Sequence, residues 1–493
     1  MSYTDLLKTV TGLGSPKILL VGDFMLDTYI YGDAVRISPE APVQVLKVVK
    51  REYSCGGAAS VAADVLALGA KCLCIGITGN DDDGQKLRSL LTERGADIDG
   101  LLAHQLRPTT CKQRIIGLAQ HRHRQQLLRI DDEITEPLET QYYQKLIDAY
   151  QKKLNDADIV CLQDYNKGIL EAGFCRELIR LAAKAGKKIL IDPPPVSDYS
   201  KFKDASLITP NRKEAHLATG IVIDTIEAAR KAAGRLRQTL NLEAAVITLD
   251  KDGAYLDTDS LSEHLPTQPR TVYDVTGAGD MTLAMLAVAI AGRCDYRTAV
   301  GLANIAAGLE VEKFGVATVS IDEIVNEIIS SHKGKTGKIR DVDSLAEELK
   351  FRRRGGEKIV FTNGCFDVLH VGHIEYLKFC KSSGDVVVVG LNSDSSVRQI
   401  KGPDRPVNNQ HERAAVLAEL ESVDYIAVFD EPDPLNIICK VRPDVLIKGA
   451  DWAEKGVVGS DFVRSYGGKV VLAPMVEGKS STATIEKLKQ QKK

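Results

Sequence analysis

Short apolar runs alternate with longer stretches of helical spacing through most of the chain. The clearest strand candidates in the first two thirds are KILLVGD (17–23), KCLCIGI (71–77), DIVCLQD (158–164), KKILIDP (187–193), SLITPN (206–211) and AAVITL (244–249). Each is followed by Gly, Pro, Asp or Asn and then by helical spacing, the rhythm of a parallel α/β sheet. The segment TCKQRIIGLAQHRHRQQLLRIDDE alternates around a polar centre and predicts a hairpin, projecting from the main sheet as a lid. After Val319 the texture changes, because SSHKGKTGK lacks apolar anchors. A polar linker is expected over 319–343. Strand-like runs begin afresh at KIVFTNG (358–364), DVVVVGLNSD (385–394) and VLIKG (445–449). Two α/β domains are therefore expected, over 1–318 and 344–493.

Length supports two cores, since 493 residues exceed the size at which a chain splits, roughly 250–300. The 44% hydrophobic and 27% charged fractions are those of a globular protein and exclude a membrane bundle or extended disorder. With 64 Lys and Arg against 67 Asp and Glu, no overall positive field points to nucleic acid or a membrane surface. The ten cysteines form no CxxC pair or zinc spacing, which fits a reducing compartment. No leader pattern precedes the first strand and no apolar run approaches about 18 residues, so a cytoplasmic protein is expected.

The sharpest chemical signal is TVYDVTGAGDMTLAMLAVAIAG, where a Gly-rich turn opens an apolar helix. Gly277, Ala278 and Gly279 let successive backbone N–H groups point at one spot, where the helix dipole also favours an anion. Asp280 sets a carboxylate beside that spot, suited to taking a proton from an attacking hydroxyl. On these letters alone it reads equally well as a first-turn helix residue. The pattern is neither GxGxxG nor a P-loop, and two GK[ST] strings, at 334–336 and 478–480, lack the required earlier glycine.

These motifs and several others identify a resemblance to the ribokinase (PfkB-type) family of sugar kinases over about 15–318. GDFMLDTY resembles the family's first strand with its substrate-facing acids, here Asp23 and Asp27; CGGAASVAADVLALGA resembles its glycine pair, here Gly56 and Gly57. TPNRKEA supplies Asn211 and Glu214, and DVTGAGD the anion hole and Asp280. The resemblance implies a ribokinase-like fold with a β lid, Asp280 as base and Gly277 to Gly279 around the transferring phosphoryl group. It also implies Asn211 and Glu214 organising phosphate and Mg²⁺, with Glu214 acting on the metal indirectly. Thr248 and Gly253 in ITLDKDGAYL would lie along ATP, and Asn304 near the adenine; Thr248 and Asn304 read equally well as ordinary structural positions. Lys112 and Arg114 in TCKQR, and Lys167 in DYNKG, resemble segments of members acting on sugars that already carry phosphate. A second phosphate needs such cations at the pocket mouth. Residues 121–124 of the hairpin read at least as well as a solvated basic face.

TNGCFDVLHVGHIEYLKFC places His370 and His373 in an HxGH arrangement after a strand, where two imidazoles near a helix start can donate hydrogen bonds to a triphosphate. Two histidines alone make a poor zinc site. With TNGCFD, GLNSDSSV, KGPDRPV and KSSTATIEKL, the segment 344–493 resembles the HxGH nucleotidyltransferase superfamily and its smaller Rossmann-like fold. The resemblance implies that His370 and His373 stabilise the α-phosphate transition state, that Lys381 contacts phosphate and that Ser480, Ser481 and Thr482 hold the β and γ phosphates. KGADW departs from the expected KGGDW at Ala450, which would be strained if the turn needed positive φ.

The two domains in this order resemble the bifunctional heptose-phosphate kinase and adenylyltransferase family of Gram-negative bacteria. That resemblance implies phosphorylation of D-glycero-β-D-manno-heptose 7-phosphate at C1 by ATP, then ADP-heptose formation for lipopolysaccharide core after a separate phosphatase acts. It implies a homodimer through the lid. The rival enzyme reading is a kinase and cytidylyltransferase for another sugar or polyol, since bare motifs do not fix the base. A non-catalytic sensor or scaffold would have lost its reactive residues, and Asp280, His370 and His373 are all present.

Overall fold

The computed structural model describes residues 2–118, 125–268, 270, 276–313 and 317–474. They form two compact units, Gly12–Val325 and Met1–Thr11 together with Asn326–Lys493.

In the first unit the strands in chain order are β1 (Lys17–Gly22), β2 (Phe24–Ile37), β3 (Gln44–Gly57), β4 (Lys71–Gly79), β5 (Asp97–His104), β6 (Cys111–Gly117) and β7 (Gln125–Asp132). They continue with β8 (Ile159–Gln163), β9 (Ile189–Asp192), β10 (Leu207–Ile208), β11 (Ala244–Thr248), β12 (Ala254–Thr258) and β13 (Ser262–Leu265). Nine of them make one sheet in the order β13-β12-β11-β10-β9-β8-β1-β4-β5. It is parallel from β11 to β5 and ends in the antiparallel β11-β12-β13 ribbon. Strands β1 and β8 read as unbroken apolar runs because helices cover both faces. The remaining four strands form a separate sheet, β3-β2-β6-β7, in which the expected hairpin is the antiparallel β6-β7 pair. The hairpin tip, with residues 121–124, lies outside the described residues. Only Asp23 separates β1 from β2, so the joint between the central sheet and the lid falls at a predicted substrate acid.

The second unit carries β14 (Ile339–Arg340), β15 (Ile359–Gly364), β16 (Val386–Asn392), β17 (Tyr425–Phe429), β18 (Val445–Gly449) and β19 (Lys469–Ala473). They make one parallel sheet, ordered β14-β17-β16-β15-β18-β19.

The structure differs from the sequence reading at both boundaries of this unit. A helix, Ile321–Thr336, occupies the expected polar linker, with Ile324, Val325, Ile328 and Ile329 buried, and the division between units falls inside it. Its apolar residues recur at helical spacing, which outweighs the polar composition that follows. The opening helix, Tyr3–Thr11, joins the second unit and not the first. Leu7 and Val10 are buried there, Tyr3 Oη donates to Glu348 Oε1 at 2.7 Å, and the Thr4 and Ser344 hydroxyls meet at 2.5 Å.

Candidate active sites

Polar residues gather where β1, β8, β9 and β10 run out: Asp23 follows β1, Gln163 ends β8, Asp192 ends β9 and Thr209 follows β10. This carboxyl edge is where parallel sheets bind ligands. Asp280 joins them from the first turn of the Ala278–Ala291 helix and is buried. Its Oδ1 accepts from Gln163 Nε2 at 2.9 Å and from Tyr165 Oη at 3.0 Å. Gln163 Nε2 also donates to Asp192 Oδ2 at 2.8 Å, and Thr209 Oγ1 donates to the other Asp192 oxygen at 3.0 Å. Burial, then the Asp192 carboxylate, push the Asp280 carboxyl up to about 8. A group so tuned exchanges protons near neutral pH.

The helix start is built for an anion. Gly277 has φ of 102°, and a Cβ there would stand 2.5 Å from Glu310 Oε1, so glycine is required. The first N–H groups of the helix have no intrahelical acceptor and point out from its positive end. Ala278 opens the helix, and Gly279 is exposed, with open space on the side where a Cβ would stand.

Asp23 Oδ2 accepts from the backbone N–H groups of Tyr165 (2.7 Å) and Lys167 (3.2 Å). Burial, then the Asp164 carboxylate, raise the Asp23 carboxyl to about 7. Buried Arg107 fixes the DYNKG loop by donating to the carbonyls of Ile134 (2.6 Å), Glu136 (2.9 Å) and Lys167. Asp27 pairs with Arg114 at 2.9 Å, and Lys167 pairs with Glu133 at 2.6 Å. A Cβ on Gly56 would sit 3.0 Å from the Asp27 carboxyl carbon, and one on Gly57, at φ 55°, 2.5 Å from Asp23 O. The glycine pair therefore lets β3 close over both acids. Lys112 stands opposite Asp27 in the β2-β6 register, with its ammonium 4.9 Å from the Tyr165 ring centroid. Among the described residues no carboxylate forms an ion pair with it. Burial lowers its pKa, against the pull of Asp27.

Asn211 and Glu214 do structural work in this fold. Asn211 Oδ1 accepts from Glu214 N at 3.0 Å while Glu214 Oε2 accepts from Asn211 N at 2.8 Å, closing a capping box on the Arg212–Thr219 helix. Burial, then Asp192, raise the Glu214 carboxyl to about 7. Thr248 bridges to Asn211 at the end of β11. Gly253, at φ 90°, packs against the Leu265 carbonyl, and Asn304 Nδ2 donates to that same oxygen at 2.9 Å.

In the second unit His370 precedes the Val371–Ser382 helix and His373 lies in its first turn. Their rings stack with centroids 3.9 Å apart, and Phe366, at φ 44°, lies 5.2 Å from His373. Burial, then His370 and Lys401, lower the His373 pKa to about 4, so its ring is neutral near pH 7. Buried Asp367 accepts from Arg405 Nε (2.5 Å) and Val407 N (2.6 Å), tying the 405–408 loop to the histidine loop. Arg413, also buried, donates to the carbonyls of Cys365 (2.6 Å) and Asn392 (2.8 Å) and to Asp394 (2.7 Å).

Lys381 does not join this site. Its ammonium donates to Asp385 O (2.6 Å) and Asp424 Oδ2 (2.7 Å), residues that precede β16 and β17, so it lies at the opposite edge of the sheet. Eight residues of helix, about 12 Å, separate it from His373. Lys401 is the lysine that bears on His373. Ala450 starts a short 3₁₀ turn without positive φ and is unstrained. Ser480, Ser481 and Thr482 lie outside the described residues.

Residues 15–323 match the pfkB family carbohydrate kinase model, and residues 361–476 match a cytidylyltransferase-like model. The chain is 42% identical over 471 residues to the bifunctional protein HldE of Geobacter metallireducens, covering 95% of each chain. It is 44% identical over 474 residues to the bifunctional protein HldE of Wolinella succinogenes, covering 96% of this chain and 98% of that one. The chain belongs to the HldE family. Like the HldE proteins it is a bifunctional enzyme, a sugar kinase joined to a nucleotidyltransferase. Arabidopsis thaliana ribokinase, solved with ribose and ATP, covers 64% of this HldE-family chain at TM-score 0.51, with 99% of its own length matched and 18% identity. Phosphofructokinase-2 of Escherichia coli, solved with substrates and products, does so at TM-score 0.52 and 18% identity. Both likenesses show the fold of the first unit. No helix among the described residues is long and apolar enough to cross a membrane.

Gln163, Tyr165, Asp192 and Lys401 of this HldE-family chain are site residues that its sequence motifs do not single out. The first and third carried a legible signal, a polar residue closing an otherwise apolar parallel strand. Tyr165 and Lys401 reach their sites through tertiary packing that local pattern does not encode.

Proposed function

We propose that the first unit phosphorylates D-glycero-β-D-manno-heptose 7-phosphate at C1 with ATP, and that the second transfers the adenylyl group of ATP to heptose 1-phosphate, releasing pyrophosphate. The 7-phosphate is removed in between by a separate phosphatase, and the product serves lipopolysaccharide core synthesis in the cytoplasm. The observation that carries the substrate class is Lys112, a half-buried cation without an ion-pair partner among the described residues, beside Asp27 and the Tyr165–Asp280 contact. A phosphorylated sugar supplies the missing anion.

In the kinase, Asp23 and Asp27 accept hydrogen bonds from sugar hydroxyls, and Asp280 takes the C1 hydroxyl proton as that oxygen attacks the γ-phosphorus. Gln163 and Tyr165 hold the carboxylate in place, and the amides at 277–279 meet the charge on the moving phosphoryl group. Mg²⁺, which neutralises phosphate charge when bound, usually takes only one or two protein carboxylates. Glu214 with Asp192 beside it fits that need. In the transferase the sugar phosphate is already ionised, so no protein base is required. His370 and His373 donate hydrogen bonds to the α-phosphate as charge builds on it. Exposed Val48, Val49, Leu128 and Ile130 on the lid strands support a homodimer through the lid.

Lys112→Met tests the substrate reading. The KM for heptose 7-phosphate should rise at least about tenfold, the size of one charge-assisted hydrogen bond, while the KM for unphosphorylated heptose changes much less. Equal effects on both sugars would remove Lys112 from phosphate recognition. The cytidylyltransferase-like match favours CTP as the second reading of the other unit. Parallel assays with ATP and CTP decide it, and a strong preference for CTP would overturn adenylyl transfer.

A further inference from the structure

The sheet of the second unit splits at one place. The β15-β18 ladder holds Val360 opposite Val445 and Phe361 opposite Leu446, and then stops. Beyond it Tyr376 bridges the two strands, its hydroxyl 2.6 Å from Thr362 Oγ1 and donating to Ile447 O at 2.9 Å. The chain builds outward from β15 through β16 and β17 on one side and places β18 and β19 on the other. The gap is thus the topological switch point of a parallel sheet, the place where such folds open a ligand crevice. The loop leaving β15 forms one wall and carries His370 and His373.

Lys448 comes from the other wall, as the next-to-last residue of β18, just before Gly449. It is only 6% exposed. Its ammonium donates to Asn363 O at 3.0 Å and stands 5.0 Å from the Trp452 ring centroid. No carboxylate among the described residues pairs with it; Asp451 and the Cys365 thiol act on it only at longer range. An ammonium has three donors, and a buried cation without a counter-ion is costly to maintain.

We propose that Lys448 receives the phosphate of the attacking sugar 1-phosphate, an assignment that rests on the nucleotidyl-transfer reading of this unit. Two observations direct it to the acceptor and away from the triphosphate. The histidines and the N-terminus of the Val371–Ser382 helix occupy the β15 wall, and Lys401, which ends the helix after β16, bears on His373 from that side. Lys448 enters from the β18 side. Displacement at phosphorus sets the attacking and leaving oxygens roughly in line, so with the triphosphate on the helix N-terminus, a cation rooted on β18 with its ammonium at Asn363 O is the one left for the arriving nucleophile. Burial lowers the lysine to about 8, and a dianionic phosphate would restore its charge on binding.

The test uses the full chain with Lys448→Met and Lys448→Arg. For Lys448→Met the KM for heptose 1-phosphate should rise at least about tenfold while the KM for ATP stays within about twofold, and Lys448→Arg should recover part of the loss. A lysine that serves only as a strut between β15 and β18 would lower the melting temperature and raise both constants together, which overturns the proposal, as does a rise confined to ATP. Calorimetric titration of heptose 1-phosphate in the presence of α,β-methylene-ATP reads the same contact without turnover. Equal affinity of wild type and Lys448→Met overturns the role of Lys448. A wild type that binds the sugar phosphate yet transfers no nucleotide overturns the transfer reading instead, and one that does not bind it overturns both.

Discussion

Asp280 is held by two neutral donors, Gln163 and Tyr165, and kept protonatable by burial and by Asp192. Asp280→Asn should abolish sugar phosphorylation and leave nucleotidyl transfer intact, measured in separate assays on one preparation; loss of both in a folded variant would contradict the assignment. The raised carboxyl also sets a pH dependence. Its pKa moves from about 4 to about 8, so over that window the folded chain keeps a proton that the unfolded chain has released. Stability of the first unit therefore falls as pH rises through the window, while kinase kcat/KM rises toward a plateau above about 8. Thermal melts from pH 5 to 9 should show a shallower decline for Asp280→Asn than for wild type, and identical slopes would remove Asp280 as the cause. His373→Ala should lower nucleotidyl transfer by roughly 10²–10³ and spare the kinase. At this scale Asp280, His370 and the acids Asp23 and Asp27 were legible, because each sits in a motif whose backbone geometry is local. Lys381 was misread because sequence position within a helix does not tell which end of the sheet a side chain reaches.

Among elements, the Tyr3–Thr11 helix has a role that its position in the chain hides. It buries Leu7 and Val10 in the second unit and hydrogen-bonds Glu348, which also pairs with buried Arg340 at 2.6 Å. Deleting residues 2–11 should cost the second unit roughly 3–6 kcal/mol, from two aliphatic side chains at about 1.5–3 each. The readout is faster thermal inactivation of nucleotidyl transfer with kinase inactivation unchanged, and the reverse order would contradict the packing. A fragment beginning at 344 loses Arg340 and strands Glu348 as a buried unpaired charge, a loss of about 3–5 kcal/mol. It should be less soluble than one beginning at 326. The central strands were readable because burial on both faces leaves continuous apolar runs. The opening helix was not, since its partners lie more than 300 residues away in sequence.

For the whole molecule, two compact units, each with its own candidate site residues, predict independent activities. A mixture of the Asp280→Asn and His373→Ala variants, with the intervening phosphatase, should restore ADP-heptose formation that neither variant supports alone. Failure of the mixture would require both sites on one chain. The near-neutral charge of the protein fits this arrangement, because cations are needed only at local phosphate pockets. The most direct test of the central claim is ³¹P NMR of the product formed by the wild-type chain from ATP and D-glycero-β-D-manno-heptose 7-phosphate. A new phosphate on C1, giving the 1,7-bisphosphate, is the predicted result; phosphate on any other carbon, or none transferred, would contradict it.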